Sequence, residues 1–544
     1  MSAKARKGSS RMLSGVLALT IANLFVKTVG LLLKIPLREI LNDDGMAYYN
    51  NAYDIYAFLY TVSNVGLPTA VSMMISENRA SGNVRQSKKI MKVAMWLFVG
   101  IGLLGTSIMF FGAPLFESAY KINNLSFSIM AIAPTLFFIC IASALKGYFQ
   151  GYQNMVPSAI SNVIEAVGKM ALGILFANYA IGAGKPTYEV AAYAVFGLTL
   201  GVAAGMVSLI IRKLLFKPAK YDTEYADLLK DGMETSSASS IIKMLFAIAI
   251  PITLSSSVMT LSNVLDGVIL SRGLQIYHTE KIARDLIGNL KTCVTPISNI
   301  ILAFANPITS VIVPLISVAV AEGKPEKVKK TINTAFRMGV IVILPCVFGI
   351  SVLAEPIIAF LFGADAAVKA GPLLSVHVIS VFFMSMISTT AAVLQSHKLG
   401  KYPVISVAVG AIVKVISTLA LVSFESINIM ASPISAILSC FTISAMNFVF
   451  IRKKVGYTPN FAKLIIKPLI AALICACGAI GSFKLYYMIT GIATVSLMLS
   501  ILTAVIVYVL SILLIRGITR EEVEMLPKGK KLARLLSKMK LLAD

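Results

Sequence analysis

Charge is scarce in this chain. Of its 544 residues, 14% are Asp, Glu, Lys or Arg, where a soluble domain carries about 25%. No soluble domain of useful size is present, since the longest polar interval between apolar runs is about residues 212–242. The phosphate-cradling pattern G-x-x-x-x-G-K-[ST] is absent, which excludes an ATP-binding loop on this chain. H-E-x-x-H, G-x-S-x-G and a carboxylate cluster fit for Mg²⁺ are absent too, which speaks against an enzyme. The three histidines, His278, His377 and His397, are scattered and form no ligand set. All six cysteines lie in apolar runs and read as small packing residues. No cofactor is expected, apart from an H⁺ or Na⁺ as coupling ion.

Apolar residues, by contrast, make up 57% of the chain, and mean hydropathy is +0.83. They come in runs of 18 or more, each enough to cross a ~30 Å hydrocarbon layer as a helix. Backbone polar groups must be satisfied within each run, so helix is the spanning form expected. The runs place spans near 13–37, 47–76, 90–113, 125–149, 157–181, 188–211, 243–270, 285–320, 336–362, 371–396, 403–424, 429–451, 464–488 and 491–515. The expectation is an all-α polytopic membrane protein with fourteen transmembrane helices. The opening MSAKARKGSSR and the first run read as a retained anchor, because Lys27 interrupts the run and no small-x-small cleavage pattern follows.

The net charge of +24 would suggest nucleic acid in a soluble protein. With fourteen spans, both termini and every even-to-odd loop share one side, and 36 of the 49 Lys and Arg fall there. Nine fall opposite: Lys34, Arg38, Lys121, Lys185, Arg272, Lys281, Arg284, Lys369 and Lys484. The positive-inside rule then puts both termini in the cytoplasm of a cell membrane. Basic charge is accounted for by topology and by anionic membrane lipids, and no nucleic-acid partner is expected.

The chain repeats itself. GNVRQSKKIMKVA (82–94) resembles GKPEKVKKTINTA (323–335), 241 residues on; GAPLF (112–116) resembles AEPII (354–358); MVPSAISNVIEAVGKMALGIL (155–175) resembles KYPVISVAVGAIVKVISTLAL (401–421). Two copies of a six-span unit follow. Six is even, so the copies enter the membrane in the same orientation, as in transporters built on parallel repeats around a central cavity. The expected divisions are an N-terminal lobe (1–242), a C-terminal lobe (243–455), an appended helix pair (456–515) and a basic tail (516–544).

Charges inside the spans are the candidate site. Lys27 lies about 15 Å from the nearer end of its helix, at 1.5 Å per residue, beyond the reach of a snorkelling lysine. Facing lipid it would cost roughly 3 kcal/mol or more, so a water-filled cavity is expected beside it. Asp54 is either a partner in that cavity or an interfacial carboxylate. Glu165 and Lys169 are spaced to pair on one helix face, as a structural ion pair or as part of the site. Lys414 is the second-copy counterpart of Lys169, without a Glu four residues before it. Asp266 is deep in its span, Lys291 is early in the eighth, and Lys34, Arg38 and Arg272 are near enough to the outer surface to snorkel.

Several segments carry a family resemblance: LKGYFQGYQNMVPSAISNVIEAVGK (145–169), GLPTAVSMMISENRASGN (66–83) and ANLFVKTVGLLLKIPL (22–37). They resemble the polysaccharide-biosynthesis flippases of the MOP exporter superfamily, in particular the Gram-positive branch that includes the lipid II flippase MurJ and the stage V sporulation protein B group. The resemblance runs over roughly residues 10–520. It implies two six-helix lobes around a cationic cavity, with helices 13 and 14 forming a lipid-tail groove, and transport rather than catalysis. It implies an undecaprenyl-pyrophosphate-linked saccharide as substrate, and the cell-wall synthesis machinery as a partner. Lys27 matches the family's first helix-1 cation, as Lys in place of Arg; Lys34 falls one residue out of register with the second; Asp54 resembles an acidic position in helix 2; Lys291 is the match in helix 8. No basic residue occupies the interior of span 2, where the family has one. A cation-coupled multidrug antiporter of the same superfamily is the alternative, which Asp54, Glu165 and Asp266 would serve.

Overall fold

The computed structural model describes residues 3–64, 66–81, 83–216, 235–302, 316, 325–397, 399–458 and 460–519, and side chains from residue 25 onward. Among the described residues there are no strands, and eleven helices are long and apolar enough to cross a membrane. Residues 303–315 and 317–320 of the eighth expected span lie outside the described residues, as does the basic tail from residue 520.

The first apolar stretch, Phe25–Arg79, is 55 residues long. As one straight helix it would extend about 80 Å, far beyond a bilayer core. The helix α1 (Ala3–Asn64) is broken at Asn42, with φ 57° and ψ 178°. Lys34 Nζ donates to Asn50 Oδ1 at 2.9 Å across that break, a bond that two residues 16 apart on a straight helix, roughly 24 Å from one another, could not form. The chain therefore folds back at Asn42. The second arm leads into α2 (Gly66–Ala80).

Next come α3 (Val84–Phe111), α4 (Ala113–Tyr120), α5 (Leu125–Ile132), α6 (Pro134–Gly151), α7 (Val156–Gly182) and α8 (Thr187–Leu215). The expected span 125–149 is covered by α5 and α6, which run on as one membrane span, Leu125–Gly151; Ala133 between them keeps helical angles, φ −53° and ψ −44°, and Pro134, which has no N–H to give, marks the boundary. α9 (Ala238–Leu274) and the short α10 (Glu280–Asn289) follow. After a π turn at Leu290–Val294 come α11 (Pro325–Val352), α12 (Ala354–Phe362), α13 (Ala364–Ser396), α14 (Lys401–Val422), α15 (Ala431–Phe450), α16 (Phe461–Thr490) and α17 (Ala493–Leu514).

The internal repeat reappears in these boundaries. α3 and α4 begin at 84 and 113, and α11 and α12 at 325 and 354, both 241 residues later. Packing divides the chain into two compact units, Met1–Gly288 and Asn289–Asp544. α9 therefore packs in the first unit, although the sequence repeat would start the second copy at 243.

Glycine sets a close helix contact in the first unit. Gly197, Gly201 and Gly205 recur every fourth residue along α8 and face α7. A Cβ on Gly201 would lie 2.4 Å from the Lys169 backbone nitrogen, and one on Gly197 2.4 Å from the Leu172 carbonyl oxygen. Small residues let helices approach this closely inside a membrane, where apolar surfaces have no water to escape. Ser161 Oγ adds a hydrogen bond to the Gly205 carbonyl at 3.0 Å.

In the second unit, α16 and α17 meet along hydroxyl groups. Ser482 pairs with Ser500 at 3.3 Å, Tyr486 with Thr503 at 3.1 Å, and Ser500 donates to the Ala479 carbonyl at 2.7 Å. Tyr508 ties the pair to α11 by donating to the Ile341 carbonyl at 2.6 Å. Cys475 is buried and Cys477 exposed, so the Cys-x-Cys thiols point to different surroundings; none of the six cysteines is in a disulfide.

Candidate functional site

One charge cluster of the first unit lies on α6 and α7. On α7, Lys169 Nζ donates to Glu165 Oε1 at 2.7 Å, one helical turn away. On α6, Lys146 Nζ approaches the other oxygen, Glu165 Oε2, at 3.8 Å. The three side chains are 14%, 15% and 19% exposed for Lys146, Glu165 and Lys169. Two lysines thus share one carboxylate, which leaves a formal charge of +1. The glycine contact with α8 holds this part of α7 in place, since a Cβ at Gly205 would touch Glu165 Cβ at 3.1 Å.

Lys146 is absent from the sequence-based candidates; it falls three residues from the end of the expected span 125–149, where position along the helix does not mark it as embedded. The signal that could have found it is the neighbouring Gly147 and Gly151. A Cβ at Gly147 would meet the Pro68 carbonyl oxygen at 2.7 Å, and one at Gly151 the Ile75 Cβ at 2.8 Å. α6 is therefore pressed against α2 down to its last turn, and Lys146 is enclosed with it.

Lys27 is half-buried on the first arm of α1 and forms no ion pair or hydrogen bond among the described residues. Lys34 does not extend freely to a headgroup region; Asn50 holds it across the reversal. Arg38 is held by a carboxylate five residues on. Its Nε and Nη2 donate to the two Asp43 carboxylate oxygens at 2.6 and 3.0 Å.

Asp54 and Asp266 come from the second arm of α1 and from α9. Both lie close enough to Tyr120 to act on its phenol, which burial first and these two carboxylates next raise well above its ordinary range. Asp266 is buried. Tyr120 donates to the Val264 carbonyl at 3.3 Å, and Ser271 donates to the Tyr120 carbonyl at 2.5 Å.

A wider network surrounds this end of the unit. Arg284 pairs with Asp44 and with Glu280 and lies over the Tyr48 ring at 5.2 Å. Glu280 in turn accepts from the Asn123 backbone at 3.0 Å and its side chain at 2.8 Å. Arg272, expected to snorkel, donates to the Ala119 and Ser118 carbonyls at 2.6 and 3.2 Å. Glu117 accepts from the backbone N–H groups of Asn124 and Ser126 at 3.0 and 2.9 Å. Burial works to raise the Glu117 pKa, but these hydrogen bonds prevail and hold it below the usual carboxylate value.

Lys291 and Lys414 belong to the second unit. Lys291 is part of the π turn and half-buried, and Lys414 is buried on α14. The residue four before Lys414 is Gly410, where a Cβ would lie 2.2 Å from Ile443. A side chain there would displace that of Ile443, so glycine suits the position at which the first copy carries Glu165.

The sequence family described as "Polysaccharide biosynthesis protein" matches residues 12–320, and that described as "MatE" matches 291–419. Two proteins of Bacillus subtilis (strain 168) are similar along most of their length. "Lipid II flippase MurJ" is 24% identical over 487 residues, 86% of each chain. "Stage V sporulation protein B" is 24% identical over 531 residues, 95% of this chain and 97% of that protein. Among solved structures, "Lipid II flippase MurJ, inward closed conformation" superposes with a TM-score of 0.66 at 15% identity, covering 91% of this chain and 98% of that one. An inward-facing multidrug resistance MATE family transporter of the MOP superfamily gives 0.64 at 14% identity, over 81% and 98%.

Proposed function

The chain belongs to the polysaccharide biosynthesis protein family, and from that premise we propose that it is a flippase for polyprenyl-pyrophosphate-linked saccharide. The reading is carried by one observation: similarity to a lipid II flippase extends over 86% of both chains, in a multi-pass helical membrane protein. The substrate is a lipid II-like precursor on an undecaprenyl-pyrophosphate carrier. Its tail stays in lipid while its headgroup needs a polar path, because each unpaired hydroxyl costs ~2–7 kcal/mol in hydrocarbon.

Lys27, half-buried and with no ion-pair partner among the described residues, supplies a cation for the pyrophosphate in a hydrated cavity. Lys34, Lys291, Asp54 and Asp266 are its further candidate residues. Fourteen crossings, cytoplasmic termini and a cell-membrane location complete the picture, with anionic lipids along the basic face and cell-wall synthesis enzymes as partners. Alternating access then exposes the cavity outward. Two negative charges moved outward down an inside-negative potential of ~100 mV gain roughly 4–5 kcal/mol, which biases direction without ATP; an H⁺ or Na⁺ gradient is the other source of drive.

The test is the appearance of labelled lipid-linked precursor in the outer leaflet of cells carrying Lys27→Ala. Flipping falls at least tenfold if the cation binds the pyrophosphate, and an unchanged rate removes that role. The MatE match over 291–419 favours a second reading, a cation-coupled multidrug antiporter. Proton- or sodium-dependent efflux of a cationic dye from vesicles would decide for it.

A further inference from the structure

The Lys146–Glu165–Lys169 cluster is electrostatically incomplete. Lys169 is hydrogen-bonded to Glu165 at 2.7 Å, so this pair is neutral together. Lys146, 3.8 Å from the same carboxylate, is beyond hydrogen-bond distance, and its ammonium donates to no acceptor among the described residues. An ammonium carries three donors, and a surplus charge held away from water is costly unless paired. Tyr53 and Tyr56 of the second α1 arm are the other titratable side chains acting on the cluster, and neither brings a carboxylate. Nothing among the described residues supplies the missing negative charge.

We propose that Lys146 and Lys169 form an anion subsite in the first unit that takes a phosphate or pyrophosphate group, with Glu165 as a built-in competitor for both ammoniums. The chemistry of the three groups limits the occupant. Two lysines repel a metal cation, and a neutral sugar leaves the surplus charge uncompensated. A phosphoryl group offers several strong acceptor oxygens to two point-charge donors. The cluster is 14–19% exposed, and the neighbouring Tyr53 is 39% exposed, so an oxyanion can reach the ammoniums without opening the α7–α8 seam. Glu165 keeps the vacant site from holding an anion too tightly to release. The inference rests on the reading of the chain as a carrier of phosphate-bearing lipid heads and adds a second grip to it, on α6 and α7.

The test uses the full chain in nanodiscs, with two probes titrated separately: inorganic pyrophosphate and a polyprenyl pyrophosphate. Affinity is read by calorimetry and folding by thermal unfolding without ligand. Lys146→Met should weaken pyrophosphate binding at least tenfold, Lys146→Arg should retain it, and Glu165→Gln should tighten it about three- to tenfold by removing the competitor. A cluster that only braces the helices predicts something else: both Lys146→Met and Glu165→Gln would lower the unfolding temperature, and neither would raise affinity. The proposal is overturned if Lys146→Met binds like the parent, if Glu165→Gln weakens binding, or if the parent binds neither probe. Binding of both probes upholds a subsite for the lipid headgroup. Binding of the inorganic anion alone upholds the subsite and assigns it to a soluble phosphate. Because the Lys27→Ala flipping assay is scored separately, failure here leaves the transport reading standing, and failure there leaves this subsite standing.

Discussion

Lys34 and Asn50 are 16 residues apart in the chain, yet the lysine Nζ lies 2.9 Å from the asparagine Oδ1. Their midpoint is Asn42, the residue with broken helical geometry. The bond closes the hairpin between the first two membrane passages. A hydrogen bond to a charged group contributes about 1.5–3 kcal/mol. Lys34→Met and Asn50→Ala should each lower stability by an amount in that range. Thermal unfolding of the two single variants and the double variant should show them to be non-additive; strict additivity would mean the bond does not contribute.

Asn42 itself has φ 57° and ψ 178°, a region populated almost only by glycine, where other residues carry ~1–3 kcal/mol of strain. Asn42→Gly should leave stability within about 0.5 kcal/mol, because relief of strain is offset by the added freedom of the unfolded chain. Asn42→Val should cost about 1–3 kcal/mol, since a β-branched residue tolerates positive φ worst. A melting comparison of the two variants checks the order.

The α7–α8 seam makes a sharper prediction. A methyl on Gly201 would fall 2.4 Å from a backbone nitrogen, and backbone inside a packed helix pair cannot yield as a flexible side chain can. Gly201→Ala should therefore cost about 1–3 kcal/mol or more and reduce the folded yield seen by size-exclusion chromatography. Gly182→Ala, where nothing lies within 4 Å, is the control and should behave as the parent.

Glu117 links α4 to the start of α5 through the N–H groups of Asn124 and Ser126. Its pKa in the folded protein is lowered, so its contribution is complete above its ordinary value, about 4.3, and is lost as pH falls through the lower folded value. Acidifying from about pH 5 to pH 3 should lower the melting temperature of the parent more than that of Glu117→Gln. Equal acid sensitivity would show that this carboxylate is not a contributor.

Much of this architecture is legible in the chain because hydrocarbon imposes so narrow a choice. An apolar run of twenty residues has one affordable spanning conformation, and the 241-residue repeat announces two copies whose helices start in step. Charged side chains were harder to read. Arg38, Arg272 and Lys34 look like snorkelling groups by depth alone, but each finds a partner contributed by chain-reversal or loop geometry: Asp43, the Ser118 and Ala119 carbonyls, and Asn50. Hydropathy reports how deep a residue is along a helix; it does not report the direction in which the helix presents it. Lys146 shows the converse. Its place near the end of a span does not mark it as embedded, and the tight α6–α2 contact at Gly147 and Gly151 encloses it. Glu165 and Lys169 were readable because i,i+4 spacing specifies both depth and direction.

Gly410, pressed against Ile443, has a consequence for the duplicated plan as a whole. An ancestral doubling yields halves able to trade places, but here one copy spends a helix crossing on ionic chemistry where the other spends it on steric closeness. Swapping the 156–182 helix for its 401–422 counterpart would bring a clash in one direction and leave unmatched charge in the other. The halves have become specialists, and the asymmetry is written in one missing side chain.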